Sequence, residues 1–282
     1  MKKILALTLA LIMCILCFSA CGASEDLKIG KQYNALSGQT DVLVQLNSGS
    51  IDVGVMDSIM AGYYMNEDSA YTDLMVVENL TLATEQYGIA ARKGSGFAKK
   101  INEALISLAN DGTVETLATK YGIASELCID KSATVAPLTE SEEKDWNDIV
   151  NKGTFVVGYT LFAPIAYKDE AGELIGFDID LAKEVAKYLN LEVKFDLIEW
   201  TAKEAKLESG SIDCIWNGMT INEERLAAME ISIPYLNNKQ VAVIRKADKD
   251  KYTTVESMSN AIMGAEEGSA GESCIIVPQD AE

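Results

Sequence analysis

Short runs rich in valine and isoleucine alternate along most of this chain with stretches of helical periodicity, and that alternation admits few architectures. The strand-like runs fall at 51–56, 74–77, 87–91, 155–159, 193–197, 212–216, 240–244 and 261–264. Between them Ile101, Leu105 and Leu108 share one helical face, as do Leu181, Val185 and Tyr188. Thr139 with Glu142, and Thr220 with Glu223, have the spacing of capping boxes and predict helix starts. The pattern predicts an α/β fold. The stretch 131–138 lacks periodicity and holds Pro137, so it reads as a linker, and the charged stretch 245–254 reads as an exposed loop.

An internal echo predicts two similar lobes. Leu46-Asn47-Ser48-Gly49-Ser50-Ile51-Asp52 recurs as Leu207-Glu208-Ser209-Gly210-Ser211-Ile212-Asp213. In each copy a helix ends at a glycine suited to the left-handed C′ position, and a strand follows at once. The strands run on to Asp57 in one copy and to Thr220 in the other. Open α/β sheets bind ligands at the carboxyl ends of their strands.

Composition narrows the chemistry. Over 282 residues there are 43 acidic against 24 basic side chains, a net charge of −19, which leaves no basic face for nucleic acid. The sequence contains no histidine, so Ser-His-Asp and Cys-His nucleophiles are absent, as is the commonest metal ligand. Lys2 and Lys3 precede an apolar run over 4–20 that ends in Phe18-Ser19-Ala20-Cys21, followed by Gly22. Residues 1–21 therefore resemble a bacterial lipoprotein signal, which implies cleavage before Cys21, lipidation of its thiol and attachment to the outer face of the cell membrane. The remaining cysteines, Cys128, Cys214 and Cys274, are odd in number and lack C-x-x-C spacing. No zinc site and no cofactor are expected, and Cys214 reads as a buried small hydrophobe.

Longer stretches resemble a known family, the polar amino-acid-binding proteins of ABC importers, which have the two-lobed type II periplasmic-binding-protein fold. FVVGYTLFAPIAY (155–167), GELIGFDIDLAKEVAKYL (172–189), LESGSIDCIWNGMTINEER (207–225), PYLNNKQVAV (234–243) and GAEEGSAGE (264–272) look like the family's N-terminal half. QLNSGSIDVGVMDSIMAGYY (45–64), EQYGIAARKGSGFAKKINEAL (85–105) and DGTVETLATKYG (111–122) look like its C-terminal half. The halves stand in reversed order, so the resemblance implies a circular permutation with the new termini inside one lobe. One lobe is expected from 25–84 plus 241–282 and the other from 88–129 plus 143–236. The stretch 130–142 would join the family's original termini, with a hinge near 85–87 and 237–240. A rival reading is two fused halves that fold by exchange between chains.

The resemblance also implies a site. Arg225 matches the arginine that grips a ligand carboxylate, a role suited to a planar guanidinium. Gly218 and Thr220 match backbone and hydroxyl contacts at a strand-to-helix turn, and Ser269 and Ala270 match carboxylate contacts from the opposite lobe. Asp57 matches the acceptor of the α-ammonium, while Phe162 and Trp200 match aromatic walls around the ligand side chain. Read without the family, Arg225 is a surface helix residue pairing with Glu223 or Glu224, and Asp57 is a helix N-cap. Tyr159 stands where the family's first strand commonly ends in aspartate, and Phe162-Ala163-Pro164-Ile165 replaces a Tyr-Pro-Pro-Phe stretch. Glu266 stands where relatives face the ligand side chain with lysine, leucine or glutamine, which predicts a cationic or amide-bearing amino acid. The expected partners are an amino-acid ligand, the membrane subunits of an ABC importer and the membrane itself. A binding protein rather than an enzyme is expected. The alternatives are a cyclohexadienyl dehydratase on the same fold and a sensory or vestigial module.

Overall fold

The computed structural model describes residues 27–65 and 70–277, so the expected signal over 1–21 and the lipidated Cys21 lie outside the described residues. In chain order the elements begin with β1 (Gln32–Leu36), α1 (Gln39–Ser48), β2 (Val53–Asp57), α2 (Ser58–Tyr64) and β3 (Leu74–Arg92). There follow α3 (Phe97–Asn110), α4 (Thr113–Lys120), α5 (Glu140–Lys152), β4 (Thr154–Tyr159), β5 (Tyr167–Lys168), β6 (Leu174–Ile175), α6 (Phe177–Leu189) and β7 (Glu192–Leu197). The last are α7 (Lys203–Glu208), β8 (Cys214–Thr220), α8 (Glu223–Ala228), β9 (Met229–Ile231), β10 (Leu236–Arg245), β11 (Ile262–Glu266) and α9 (Ala270–Ile275).

The fold is α/β and two-lobed. Its main sheet runs β1-β11-β2-β10-β3-β8-β4-β7, with β9 alongside β3. One lobe is built on the parallel strands β1, β11 and β2, the other on the parallel strands β8, β4 and β7. Each parallel group is flanked by an antiparallel strand, β10 for the first and β3 for the second. Those two long strands pair with each other, Leu236 opposite Tyr87 through Arg245 opposite Leu74, and carry the backbone between the lobes. Val42, Leu43 and Leu46 of α1 are fully buried under the first group. Ile101 and Leu105 of α3, with Leu181 and Val185 of α6, are fully buried in the second. Burial of one such aliphatic side chain contributes about 1.5–3 kcal/mol.

The internal echo has a structural counterpart. Gly49 (φ 78°) and Gly210 (φ 74°) both adopt the left-handed conformation just past their helices. Ser48 Oγ donates to Gln45 O, and Ser209 Oγ donates to Lys206 O, each at 3.0 Å. Asp52 accepts from the Ile262 N–H, and Asp213 accepts from the Val156 N–H, each at 2.9 Å. In each lobe an arginine ending the crossing strand reaches into this turn. Arg245 donates to Ile51 O at 2.8 Å and Arg92 donates to Ile212 O at 3.1 Å.

Several expectations are corrected. The runs at 74–77 and 87–91 belong to one 19-residue strand, because 78–86 continues the ladder that passes between the lobes. Thr139 and Glu142 form the predicted capping box, but Thr220 and Glu223 do not. Thr220 is the last residue of β8, opposite Tyr87, and Asn222 caps α8 by accepting from the Arg225 N–H. Tyr188 is 48% exposed, so the buried face of α6 stops short of it. The stretch 245–254 is not simply an exposed loop, since Tyr252 is buried and Arg245 pairs with Asp52 and Asp248. Cys214 is buried in β8 as expected.

Candidate ligand-binding site

The carboxyl ends of the parallel strands β2 and β11 in one lobe and of β8 in the other all reach one narrow cleft. Gln39, Asp57, Thr160, Leu161, Phe162, Trp200, Asn217, Gly218, Thr220, Arg225, Gln240, Glu266, Ser269 and Ala270 line it. The space left between its walls is small, about 20 Å³, close to what one enclosed water needs, so the walls stand nearly closed on each other. Nine of the ten residues singled out in the sequence, namely Arg225, Asp57, Thr220, Gly218, Phe162, Trp200, Ser269, Ala270 and Glu266, are among these lining residues. Tyr159 is not. Its ring packs against Phe195, with centroids 6.2 Å apart, and beside Ala166 and Ile179.

Arg225 is 7% exposed and forms no ion pair among the described residues, so its reading as a surface partner of Glu223 or Glu224 is set aside. The short helix α8 begins at the Asn222 cap and turns the guanidinium back toward β8, where Nη1 donates to Thr220 O at 2.8 Å. Nη2 donates to Gly268 O, from the other lobe, at 3.3 Å. Trp200 Nε1 donates to the same carbonyl at 3.1 Å, and Lys203 Nζ lies 3.5 Å from it. The Trp200 face lies 5.9 Å from the Arg225 guanidinium carbon and 4.8 Å from the Lys203 ammonium. Burial lowers the Lys203 pKa, and the charge of Arg225 lowers it further. One rim of the cleft thus concentrates cationic donors.

The facing wall is acidic. Asp57 is 5% exposed and sits at the N-cap position of α2 without capping it. Asn238 Oδ1 meets the Ile59 N–H at 3.3 Å instead. The Asp57 carboxylate accepts from Gln39 Nε2, from Tyr87 Oη at 2.6 Å, from Asn238 Nδ2 and from Gln240 Nε2 at 3.0 Å. Burial raises its pKa well above the usual carboxylate value, and the charge of Glu85 raises it further. Glu266, at the end of β11, is pushed up to about 8 by burial, against the pull of Lys203 and Gln39. Gln240 Oε1 and Asn217 Oδ1 are buried without hydrogen-bond partners, although both residues line the cleft. A buried orphan acceptor costs about 1–3 kcal/mol, so each calls for a donor in the cleft, Gln240 from this wall and Asn217 from β8 opposite.

Gly218 adopts φ 59°, and a Cβ there would come 2.6 Å from the Phe162 ring, so only glycine lets the strand approach that aromatic. Its N–H is occupied by Asp178 Oδ2 at 3.0 Å, which removes the anion contact expected from that amide. Ser269 Oγ caps α9 by accepting from the Glu272 N–H at 3.1 Å. Gln39, Thr160, Leu161, Asn217 and Gln240 escaped the sequence reading. For Gln240 the mark is structural only: burial alternates along Leu236–Gln240, which puts the polar Asn238 and Gln240 on the inward face of the strand.

Chemically the cleft offers a buried guanidinium, a buried carboxylate network opposite it, and flat walls from Phe162 and Trp200. Comparison with known proteins agrees with such a receptor. Residues 155–273 match the model of the bacterial extracellular solute-binding proteins, family 3. The L-cystine-binding protein TcyJ of Escherichia coli K12 is 28% identical over 119 residues, 42% of this chain and 45% of that protein. The histidine-binding periplasmic protein of the same strain is 32% identical over 112 residues, 39% of this chain and 42% of that protein. The aligned part of the chain thus spans less than half the length of these relatives. The solved arginine-bound domain 1 of TmArgBP is 35% identical, covering 36% of this chain and 88% of that one, with a TM-score of 0.31. Residues 155–273, which supply twelve of the fourteen residues lining the cleft, are therefore the part of the chain that is similar to the bacterial extracellular solute-binding proteins, family 3.

Proposed function

We propose that this chain is an extracytoplasmic solute-binding lipoprotein that captures an amino acid and delivers it to an ABC importer. The observation that carries this reading is the placement of Arg225 and Asp57, both buried, on facing walls of one cleft. A zwitterion entering a dry site must exchange its hydration for directional partners of both signs, and this pair supplies them at the required ends. Thr220, Ser269 and Ala270 would complete the carboxylate end, and Phe162 and Trp200 would sandwich the side chain. Glu266 would meet the side chain's tip, which favours a cationic or amide-bearing amino acid. The cystine- and histidine-binding relatives support an amino acid as the ligand. The chain would close by bending near 85–87 and 237–240, where β3 and β10 pair, and residues 1–21 would direct lipidation of Cys21.

The test is a thermal-shift panel of the twenty amino acids on the soluble chain lacking 1–21, since a ligand of the folded state raises its melting temperature. A shift confined to one or two polar amino acids is expected. No shift with any of them would end this reading. The pH dependence then separates the two ligand types. A cation needs the charged form of Glu266, whose pKa lies at about 8, so affinity for a cationic amino acid should rise as pH climbs through that value and level off above it. An amide-bearing ligand should show no such rise.

The order of segments is a circular permutation in this reading. Its support is that β1 and β2, early in the chain, flank β11, late in the chain, in one parallel group. A further support is that the family match covers only 155–273. A chain rearranged to run 143–277, then a short linker, then 27–129 should fold to a monomer with the same ligand preference. A rearranged chain that stays unfolded, or binds only as a dimer, would favour the exchange between chains.

A further inference from the structure

Behind Asp57, away from the cleft, lies a second carboxylate that no sequence motif singled out. Glu85 belongs to β3 and is half-buried, directly opposite Asn238 in the β3–β10 ladder. On the other edge of β10, Gln240 stands directly opposite Asp57. The central strand therefore carries two inward amides, and each amide spans both carboxylates. Asn238 Nδ2 donates to Asp57 Oδ1 and, at 2.6 Å, to Glu85 Oε1. Gln240 Nε2 donates to Asp57 Oδ1 at 3.0 Å and to Glu85 Oε1 at 2.9 Å.

This arrangement fixes which way Gln240 points. A primary amide has two N–H donors on one side and an acceptor on the other. With both donors held by carboxylates, the oxygen must turn away from them. That oxygen is the buried Oε1 without a partner, beside Gly271 at the start of α9, on a residue that lines the cleft. Asp57 alone could be satisfied by Tyr87 and Gln39; it is Glu85 that uses the second hydrogen of each amide.

We propose that Glu85 is a positioning residue for capture of the ligand's cationic group. Through Asn238 and Gln240 it holds the Asp57 carboxylate in place, turns the Gln240 oxygen toward the incoming N–H donors, and adds negative potential from behind. Because Glu85 and both amides sit on the strands that cross between the lobes, the same contacts tie ligand capture to that crossing. The inference rests on the reading of Asp57 as the ammonium acceptor.

The groups facing Asp57 are Glu85 and Tyr87 from β3, Glu266 from β11 by way of Gln39, Arg225 from α8 and Cys274 from α9. Of these, Glu85 is the charged neighbour that most raises the Asp57 pKa, after burial itself. Ammonium capture needs Asp57 ionised, so affinity must fall as pH drops through that pKa. Removing the Glu85 charge lowers the pKa and moves the fall to lower pH.

The experiment measures binding of L-arginine by calorimetry between pH 4 and 8 for the wild-type chain, Glu85→Gln and Glu85→Ala. Should the wild type not bind L-arginine, the amino acid giving the largest shift in the panel takes its place. Each variant is expected to bind about tenfold more weakly at neutral pH, Glu85→Ala the more so. In Glu85→Gln, which keeps an acceptor for both amides and folds without an added cavity, the acid fall should also move to lower pH. Binding within twofold of wild type would overturn the proposal. So would weaker binding with an unmoved acid fall, because a merely structural residue leaves the Asp57 titration where it was. A wild-type chain that binds no amino acid would instead remove the reading of Asp57 on which the proposal stands.

Discussion

Replacing Arg225 by alanine is expected to cost about 2–5 kcal/mol of amino-acid affinity, the range for truncating one partner of a buried charge pair. The guanidinium is buried at the cleft wall and bonded to Thr220 O and Gly268 O, so its orientation is set by the main chain of both lobes. Burial pulls its pKa down, while the carboxylates of Glu204, Glu85, Glu224 and Asp57 pull it back up. The group keeps its charge, and a ligand carboxylate would meet a fork already aimed and desolvated. Arg225→Lys should recover little of the loss, because an ammonium cannot bridge Thr220 O, Gly268 O and a carboxylate with the same geometry. Calorimetric titration of the two variants checks this. Affinity within twofold of wild type in Arg225→Ala would show that the carboxylate lies elsewhere.

Asp57→Ala should damage stability as well as binding. Four side chains donate to that carboxylate: Gln39, Tyr87, Asn238 and Gln240. Asn238 and Gln240 retain Glu85, but Gln39 and the Tyr87 hydroxyl would be left without this acceptor in a buried setting. At about 1–3 kcal/mol for each of the two buried orphans, the folded state should lose about 2–6 kcal/mol. A raised carboxyl pKa partly offsets this, because an ionised Asp57 is itself costly to bury. Urea unfolding with an unchanged slope would measure the loss as a stability change proper. Ligand binding should disappear together with it. A variant of wild-type stability that still binds would remove Asp57 from both roles.

What the sequence made legible was set by whether a pattern has one physical cause. The glycine–strand echo has one, a left-handed helix exit into a buried strand, and both copies fold alike down to their serine and aspartate hydrogen bonds. The Thr220–Glu223 spacing has two, since a threonine can end a strand or start a helix. Pairing with Tyr87 extends the strand and leaves the cap to Asn222. Family resemblance placed nine residues around one cleft, yet misplaced Tyr159, whose ring turns to Phe195 because the strand-end position alone does not fix side-chain direction. The amides Gln39, Asn217, Asn238 and Gln240 stayed hidden for a different reason. An amide has no charge to mark it in a sequence, and its role here comes from partners lying far away along the chain, carboxylates for Gln39, Asn238 and Gln240 and the Thr160 hydroxyl for Asn217.

The two arginines at the far ends of the crossing strands have a mechanical consequence. Arg92 ties β3 to the Ile212 turn and Asp213, and Arg245 ties β10 to the Ile51 turn and Asp52. Each strand is thus riveted in the lobe where it ends. Sliding along the ladder would have to tear out a rivet, so the compliance of the pair is confined to the span between them. Within that span the register shifts at Gln240/Val241 and Val241/Val243, and a bulged ladder twists and bends more readily than a regular one. In the proposed closure the lobes would rock about a fixed pivot, as a pair of lever arms rather than sliding plates, with the pivot beside the Glu85–Asp57 network.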